Sequence, residues 1–257
     1  MKILVVGRGW TGNKMFIELT QRGHVCKLVS HDDVNNLITN DYDWVVNAAG
    51  VTGTPNVDGC ELIKPETYKG NALFPIELYN LCQQHNVKLA HFSSGCIYEG
   101  VITDVNADPN YFGSTYSVSK GISDMFLKDK ALVFRIRMPF TGVNEAKNYL
   151  TKVYKYSNNG KLVDLGKNSM TDLDEAVSVA CNLIEQNETG PHNLINQGAI
   201  TMPELVEIMG IENPQYYTRE EFAAVTRSGR STCVIPEFGL MRSLHDALVD
   251  AVAKMKV

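Results

Sequence analysis

The stretch KILVVGRGWTG, from Lys2 to Gly12, decides how this chain of 257 residues begins to fold. Its first half is a short apolar run rich in β-branched residues, which is typical of a strand buried on both faces of a parallel sheet. Gly7, Gly9 and Gly12 follow, and helical periodicity begins within the same turn. A glycine-rich turn lets a phosphate approach the backbone at a helix N-terminus. The stretch therefore predicts a phosphate-binding strand–turn–helix unit, with a purely structural turn as the alternative.

Strand-like and helix-like segments alternate along the first half of the chain. They are the strand 2–6, the helix 11–22, the strands 24–29 and 41–50, the helix 68–86, the strand 87–94, the helix 114–129 and the strand 131–139. Pro75 should mark a start or a kink in the predicted helix 68–86, because proline cannot continue a helix undisturbed. This alternation favours an α/β fold, a Rossmann-type doubly wound parallel sheet. The segment from Ser30 to Asp41 leaves little room for a full third strand.

The pattern loosens after Pro139. Helices are predicted over 147–160, 170–186 and 201–210, and one more strand over 191–198. We expect residues 1–138 plus about 171–198 to form the nucleotide-binding domain. Residues from about 139 to 170 plus 199–257 should then form a small C-terminal substrate-binding lobe.

Composition limits the classes of function. The net charge is -5, the pI is about 5.7, and no run of lysine and arginine occurs. We therefore expect no nucleic-acid partner and no membrane partner. Six scattered cysteines without a C-x-x-C pair suggest reduced thiols rather than disulfides or a metal site. The start of the chain does not resemble a signal peptide, so a cytoplasmic location is expected.

The end of the second strand bears on the choice between NAD and NADP. An acidic residue there would bind the ribose 2′-hydroxyl. Ser30 and His31 come first instead, Asp32 follows slightly late, and Arg8 in the turn is available to a 2′-phosphate. We expect NADPH, with NADH as the less favoured alternative because Asp32 is also able to act as the acid.

The motif YSVSK places Tyr116 and Lys120 on one helical face. A nearby ammonium group stabilises a phenolate, so we expect Lys120 to lower the pKa of Tyr116. Ser94, about twenty residues earlier at the end of a strand, is expected to hydrogen-bond a substrate carbonyl. The predicted nucleotide-binding residues are Gly7, Arg8, Gly9, Trp10, Thr11, Gly12, Ser30, Ala48, Ala49, Gly50, Tyr116, Lys120 and Pro139.

This combination resembles the extended short-chain dehydrogenase/reductases. Dehydratases of that superfamily carry an Asp-Glu pair after the catalytic serine or threonine, whereas Gly95 and Cys96 stand here. The turn SSGCIY is similar to that of GDP-L-fucose synthase. A closer resemblance, to plant-type UDP-rhamnose-forming 3,5-epimerase/4-reductases, runs through NAAGVTGTPNVDGCE, GCIYE, GSTYSVSK, RIRMP, NYLTK, NSMTDLDE and HNLINQGAIT.

The resemblance implies an acid–base pair for epimerisation. Its cysteine corresponds to Cys96 and its lysine, in NYLTK, to Lys152. A 4-keto sugar has acidic protons on carbons 3 and 5, and inversion needs an acid and a base on opposite faces of the ring. The implied partner is a nucleoside-diphosphate 4-keto-6-deoxy sugar. The alternatives are a buried packing role for Cys96 and an ordinary surface position for Lys152.

Further residues are predicted to contact the substrate. Thr52, Asn56 and Asp58 follow a strand at the carboxyl edge of the sheet, where ligands bind in this fold. The resemblance adds Asn71, and an arginine suits a diphosphate through paired hydrogen bonds. The predicted substrate-binding residues are Thr52, Asn56, Asp58, Asn71, Asn148, Met170 and Arg230.

The sequence departs from the family pattern at two ends of the chain. The glycine turn is one residue short of G-x-x-G-x-x-G, which should tighten it, and RSTCVIPEFGL follows the family ending only loosely. Two other functions stay open. One is a reductase without epimerase activity, and the other is a non-catalytic NADP-binding regulatory subunit. Members of this family often dimerise through two helices, so a homodimer is a further expectation.

Overall fold

A parallel β-sheet forms the centre of the protein, whose computed structural model describes residues 1–36, 38–236 and 239–255. The strands of the described residues are β1 (Lys2–Val6), β2 (Val25–Val29), β3 (Trp44–Asn47), β4 (Lys88–Ser94), β5 (Gly100–Val101), β6 (Leu132–Ile136), β7 (Pro139–Phe140), β8 (Thr171–Asp172), β9 (Gly190–Asn193) and β10 (Cys233–Val234). Six of them pair in parallel in the order β2-β1-β3-β4-β6-β9. The short strands pair separately, β5 with β10 and β7 with β8.

Helices cover both faces of this sheet. They are α1 (Trp10–Gln21), α2 (Lys64–Tyr68), α3 (Phe74–Gln84), α4 (Thr115–Leu127), α5 (Tyr149–Asn159), α6 (Leu173–Glu185), α7 (Met202–Met209), α8 (Arg219–Val225) and α9 (Leu244–Met255). Alternate residues of β1 enter different cores: Ile3 packs with α1 and α6, and Leu4 packs with α3 and α4. Burial on both faces explains the continuous apolar run at the start of the chain. The α/β doubly wound fold is confirmed.

The segment after β2 forms a 3-10 helix over His31–Asn36. Strand β3 consequently lies directly beside β1. The expectation that a full third strand has no room is confirmed for the described residues of this segment.

The helical segment around Pro75 is interrupted as expected. Helix α2 passes through a π-helical stretch, Lys69–Leu73, into α3, and Pro75 lies in the first turn of α3. A proline has no N–H to donate and its ring crowds the preceding turn, so a wider turn before it relieves both problems. The widened turn carries Asn71, which the sequence predicted to contact the substrate.

A separate apolar cluster lies away from the two that cover the faces of the sheet. It joins α5, α7 and α9 through buried residues that include Leu150, Leu205 and Leu248, whereas α6 and β9 belong with the sheet. The helices predicted over 147–160, 170–186 and 201–210 are confirmed to within three residues at each end. The proposed division into two lobes agrees with these clusters and stays a prediction.

A buried ion pair fastens α4 to the sheet. Asp124 on α4 and Arg135 on β6 are both fully buried, and their side chains meet at 2.6 Å. Ser93 donates to the same carboxylate at 2.6 Å, and the Arg135 guanidinium lies over the Tyr98 ring. Because these groups satisfy each other, the pair sets the position of α4 against β4 and β6.

Removing one partner of this pair leaves an uncompensated charge in the core. We expect Asp124→Ala to lower the free energy of unfolding by about 3 to 5 kcal/mol. Denaturant unfolding measures this, with Asp129→Ala as the control, since Asp129 is exposed just beyond the end of the same helix. A loss below about 1 kcal/mol, the range of surface pairs, would contradict the structural role given to Asp124.

Candidate active site

A cavity of about 730 Å³ opens at the carboxyl edge of the sheet. All five residues that the sequence singled out for catalysis line it: Ser94, Cys96, Tyr116, Lys120 and Lys152. They come from the end of β4, the turn after it, α4 and α5. The elements that carry them are far apart in sequence, and the parallel sheet brings their ends to one edge.

The glycine turn fits an anionic phosphate. Gly7 has a φ of 108°, and a Cβ there would lie 2.6 Å from the Ala49 amide nitrogen. A Cβ on Gly12 would overlap the Gly7 carbonyl oxygen, whereas Gly9 faces open space in the cavity wall. The N-cap residue of α1 is Gly9, so no side chain caps the N–H groups of the first turn, and Trp10 and Thr11 of that turn line the cavity. These are the features that a dinucleotide pyrophosphate requires.

Only part of the predicted nucleotide-binding set lines the cavity. Gly9, Trp10, Thr11, Ala48, Ala49, Gly50, Tyr116, Lys120 and Pro139 do, and Gly7, Arg8, Gly12 and Ser30 do not. Ser30 accepts a hydrogen bond from the Asp32 amide at 3.2 Å, and His31 packs edge-on against Phe74. A hydroxyl and an imidazole thus stand at the end of β2, and the Asp32 carboxylate lies 3.3 Å from His31.

Ser94 and Tyr116 lie within hydrogen-bonding reach of each other at the cavity wall. Ser94 caps the turn Gly95–Ile97, accepting from the Cys96 amide at 3.1 Å. Ser114 caps α4 by accepting from the Ser117 amide at 3.1 Å, which fixes the turn that carries Tyr116.

Lys120 is buried one helical turn after Tyr116. Its ammonium donates to the Phe92 carbonyl at 3.1 Å. Burial lowers the pKa of Lys120 to about 8, although the Asp124 carboxylate acts in the opposite direction. Burial also removes the phenol from water, so the Tyr116 pKa is raised, and the nearby Cys96 raises it further against the hydrogen bond from Ser94. The expectation of a lowered Tyr116 pKa is therefore wrong for this structure, because burial dominates.

Cys96 and Lys152 reach the cavity from two different elements of the fold. The Cys96 thiol is half-buried in the turn after β4, and Lys152 is half-buried on α5. Burial lowers the pKa of Lys152, and the neighbouring Lys147 ammonium lowers it further. A lowered pKa increases the fraction of neutral amine, which is the form that accepts a proton.

Five of the predicted substrate-binding residues also line the cavity: Thr52, Asn56, Asp58, Met170 and Arg230. Arg230 pairs with the Asp58 carboxylate at 2.7 Å. Burial alone would raise the pKa of Asp58, but hydrogen bonds from Arg230 and Ser228 hold it below its usual value. Asn56 accepts from the Asp58 amide at 2.9 Å, and Thr52 accepts from Lys147 at 2.9 Å.

Asn71 and Asn148 lie outside the cavity lining, and each amide is occupied by backbone. Asn71 exchanges two hydrogen bonds of 2.8 Å with Val51, which clamps the loop after β3. Asn148 caps α5 and donates to the carbonyls of Thr141 and Val143 at 2.8 and 2.6 Å. Both side chains are fully buried, so these contacts hold cavity-lining segments in place, and direct substrate contact stays a prediction.

Sequence reasoning missed several polar and aromatic residues of the cavity wall. They are Tyr111, Arg137, Lys147, Tyr149, Lys161, Tyr217 and Phe222. Two of them had a signal in the sequence. Arg137 is an arginine at the end of a buried strand, and Tyr149 lies inside the block NYLTK. Residues 237 and 238 of the C-terminal stretch RSTCVIPEFGL lie outside the described residues.

Neither a metal centre nor a membrane-spanning helix is found among the described residues. No group of three or more histidine, cysteine, aspartate or glutamate side chains is placed to hold a metal ion. Within residues 1–36, 38–236 and 239–255, none of the helices has the length and apolar character needed to cross a bilayer.

The chain belongs to the family described as the RmlD substrate binding domain, whose model matches residues 1–200. It is 32% identical over 231 residues to a bifunctional dTDP-4-dehydrorhamnose 3,5-epimerase/dTDP-4-dehydrorhamnose reductase of Arabidopsis thaliana, covering 81% of this chain and 75% of that protein. It spans only 34% of the length of the first trifunctional plant relative that it matches.

Solved structures agree with this membership. A UDP-rhamnose synthase from Acanthamoeba polyphaga mimivirus has a TM-score of 0.86 at 27% identity, with 99% of both chains covered. A dTDP-4-dehydrorhamnose reductase from Bacillus anthracis, solved with NADP, has a TM-score of 0.78 at 16% identity, covering 98% of this chain and 99% of that one. At that identity the second likeness shows the fold alone. The resemblance to this family is confirmed.

The lowered pKa of Lys120 has a measurable consequence for stability. The folded protein holds this proton less tightly than the unfolded chain does, so the charged form destabilises the fold below about pH 8. We expect the free energy of unfolding of the wild type, relative to Lys120→Met, to rise by roughly 2 kcal/mol between about pH 8 and about pH 10. Urea unfolding at a series of pH values measures it, and a constant difference would contradict the burial effect.

Proposed function

We propose that this protein is a bifunctional 3,5-epimerase/4-reductase that converts an NDP-4-keto-6-deoxyglucose to an NDP-rhamnose-like sugar with NADPH. One observation carries the proposal: Ser94, Tyr116 and Lys120 line the same cavity as Cys96 and Lys152. The names of the Arabidopsis and mimivirus relatives support the substrate class. The nucleotide of the sugar, UDP or dTDP, is left open.

Epimerisation needs two groups that exchange protons with opposite faces of one ring. The 4-keto group makes the protons on carbons 3 and 5 acidic, since the charge left by their removal is delocalised onto the carbonyl oxygen. We assign this exchange to the Cys96 thiol and the Lys152 amine. Their positions on separate elements, the turn after β4 and α5, support roles on different sides of the ring. In each inversion the Cys96 thiolate takes a proton from one face of the ring, and the Lys152 ammonium, whose lowered pKa eases its release of a proton, returns one to the other face.

Reduction of the 4-keto group needs a proton donor and an oriented carbonyl. Ser94 orients the carbonyl oxygen by hydrogen bonding. Tyr116, whose raised pKa keeps it protonated, donates the proton to the new alkoxide. The Lys120 ammonium, held by the Phe92 carbonyl, supplies positive charge beside the reacting oxygen. NADPH, when bound, supplies the hydride for carbon 4.

The proposed cofactor residues follow the fit of the glycine turn. The turn from Gly7 to Gly12 holds the pyrophosphate, and the loop from Ala48 to Gly50 lines the adjoining wall. Asn71 fixes that loop through Val51. Ser30 and Arg8 are assigned to the 2′-phosphate, because the carboxylate that would oppose it, Asp32, lies against the His31 imidazole. The free thiols of all six cysteines support a reducing compartment such as the cytoplasm, and a homodimer stays a prediction.

The first test isolates proton exchange from reduction. The protein is incubated in D2O with NADP+ and UDP-4-keto-6-deoxyglucose or its dTDP form, and carbons 3 and 5 are followed by NMR. We expect deuterium at both carbons, and exchange slowed about 100-fold or more by Cys96→Ser and by Lys152→Ala. Cys26→Ser and Lys155→Ala are matched controls that should exchange normally, because neither side chain lines the cavity. No exchange with either nucleotide would leave a reductase without epimerase activity.

The second test addresses reduction. Tyr116→Phe should lower the rate of NADPH oxidation about 100-fold or more without weakening NADPH binding, because it removes only the proton donor. Stopped-flow absorbance and fluorescence titration separate the two quantities. Tyr79→Phe, on α3 and away from the cavity, is the control. A normal oxidation rate in Tyr116→Phe would remove Tyr116 from the proposed role.

A further inference from the structure

Arg137 is a buried cation without a carboxylate partner among the described residues. It is 2% exposed and follows β6 by one residue. The two other arginines near the cavity are balanced, Arg135 by Asp124 and Arg230 by Asp58. A buried charge is costly unless an opposite charge or a full set of hydrogen bonds compensates it. The wall of the cavity at Arg137 therefore favours negative charge.

The acceptors of Arg137 are neutral and join three segments. Nη1 donates to the Gly95 carbonyl at 3.0 Å, and Nη2 donates to Asn168 Oδ1 at 2.6 Å and to the Ser231 carbonyl at 2.8 Å. Nε is buried and has no hydrogen-bond partner among the described residues. The contact with Gly95 matters most, since Gly95 directly precedes Cys96.

The turn that carries Cys96 packs tightly on Arg137. A Cβ added to Gly95 would lie 3.3 Å from the Arg137 Cβ and 3.2 Å from Ile235 Cδ1. The turn is therefore held both by the guanidinium and by close packing, which fixes the direction in which the thiol leaves the backbone.

Four titratable groups, from three elements and one loop, interact electrostatically with Cys96. They are the phenols of Tyr111, Tyr116 on α4 and Tyr149 on α5, and the buried thiol of Cys233 on β10. Burial raises the pKa of all four, so they stay neutral near pH 7.

The charged groups that act on the same phenols are few. Arg137 and Arg230 act on both Tyr111 and Tyr149, and the exposed Glu99 acts on Tyr111. Since Asp58 neutralises Arg230, Arg137 is the arginine of this set that has no carboxylate partner among the described residues.

We propose that Arg137 is a positioning residue for Cys96, which fixes the turn through the Gly95 carbonyl and stabilises the thiolate with its unbalanced positive charge. The thiolate is the form that removes a proton from the sugar, so the inference deepens the proposed epimerase function and rests on it. Arg137 itself needs no contact with the substrate for this role.

The test reads the thiolate directly. Iodoacetamide alkylates thiolates, and mass spectrometry of the Cys96 peptide gives the rate from about pH 6 to about pH 10. We expect Arg137→Met to shift the half-maximal pH upward by about one unit and to slow alkylation at pH 7 about tenfold. Arg137→Lys keeps the charge and should retain most of the wild-type profile. Deuterium exchange into the 4-keto sugar should fall with the thiolate fraction.

Two controls keep the readout specific. Cys26, half-buried on β2, is an internal reference whose alkylation should not change. Arg242→Met removes an arginine paired with Asp172, Glu175 and Asp250, outside the cavity lining, and should leave the Cys96 profile unchanged. Melting curves are recorded first, and Arg137→Gln replaces the methionine variant if that variant does not melt cooperatively.

The outcomes separate this inference from the proposed function. If a folded Arg137→Met or Arg137→Gln variant has the same pH profile of Cys96 alkylation as the wild type, the inference about Arg137 is overturned. It is also overturned if Arg137→Lys shifts the profile as much as Arg137→Met does. Absence of deuterium exchange in the wild type would instead overturn the epimerase function, because alkylation reports on the thiol whether or not a sugar reacts.

Discussion

The parallel pairing of the six central strands is the constraint on which the rest of the structure depends. Parallel strands end at the same edge of a sheet, so the turns after β1, β3 and β4 open into one cavity. Each return crossover must then pass over a face of the sheet, which buries both faces and demands apolar residues at the four buried positions of β1, Ile3 to Val6. The close approach of the turns after β1 and β3 explains why Gly7, against Ala49, has no side chain.

Local charge in the cavity differs from the charge of the whole chain. The protein carries a net charge of -5, yet Lys120, Arg137 and Lys152 all line the cavity. Lys120 is held by a carbonyl, and the acceptors of Arg137 are neutral. A cavity with this excess of positive charge suits the diphosphate groups of a dinucleotide and a nucleotide sugar. The acidic exterior and the basic cavity are therefore compatible, since screening separates surface charges from buried ones.

Particular residues show which features of the fold and the site can be predicted from the sequence. Tyr116 and Lys120 are four apart on one helix, so their shared face followed from helical geometry, and the glycine turn followed from the strand before it and the helix after it. Asn71, which the resemblance implied, and Asn148 were both predicted to contact the substrate, yet their amides bind backbone and lie outside the cavity lining. An amide has donors and acceptors for many partners, and only the packed neighbours decide which partner it takes.

The sequence by itself determined the alternation of strands and helices, the position of the glycine turn and the five residues proposed for catalysis, all of which line the cavity. These depend on periodicity and on short spacings, which local geometry fixes. The tertiary structure alone decided that Asp124 pairs with Arg135, that Arg137 lies buried beside the Cys96 turn and that burial raises the pKa of Tyr116. Burial and charge pairing depend on residues brought together from distant parts of the chain, and no local pattern records those distances.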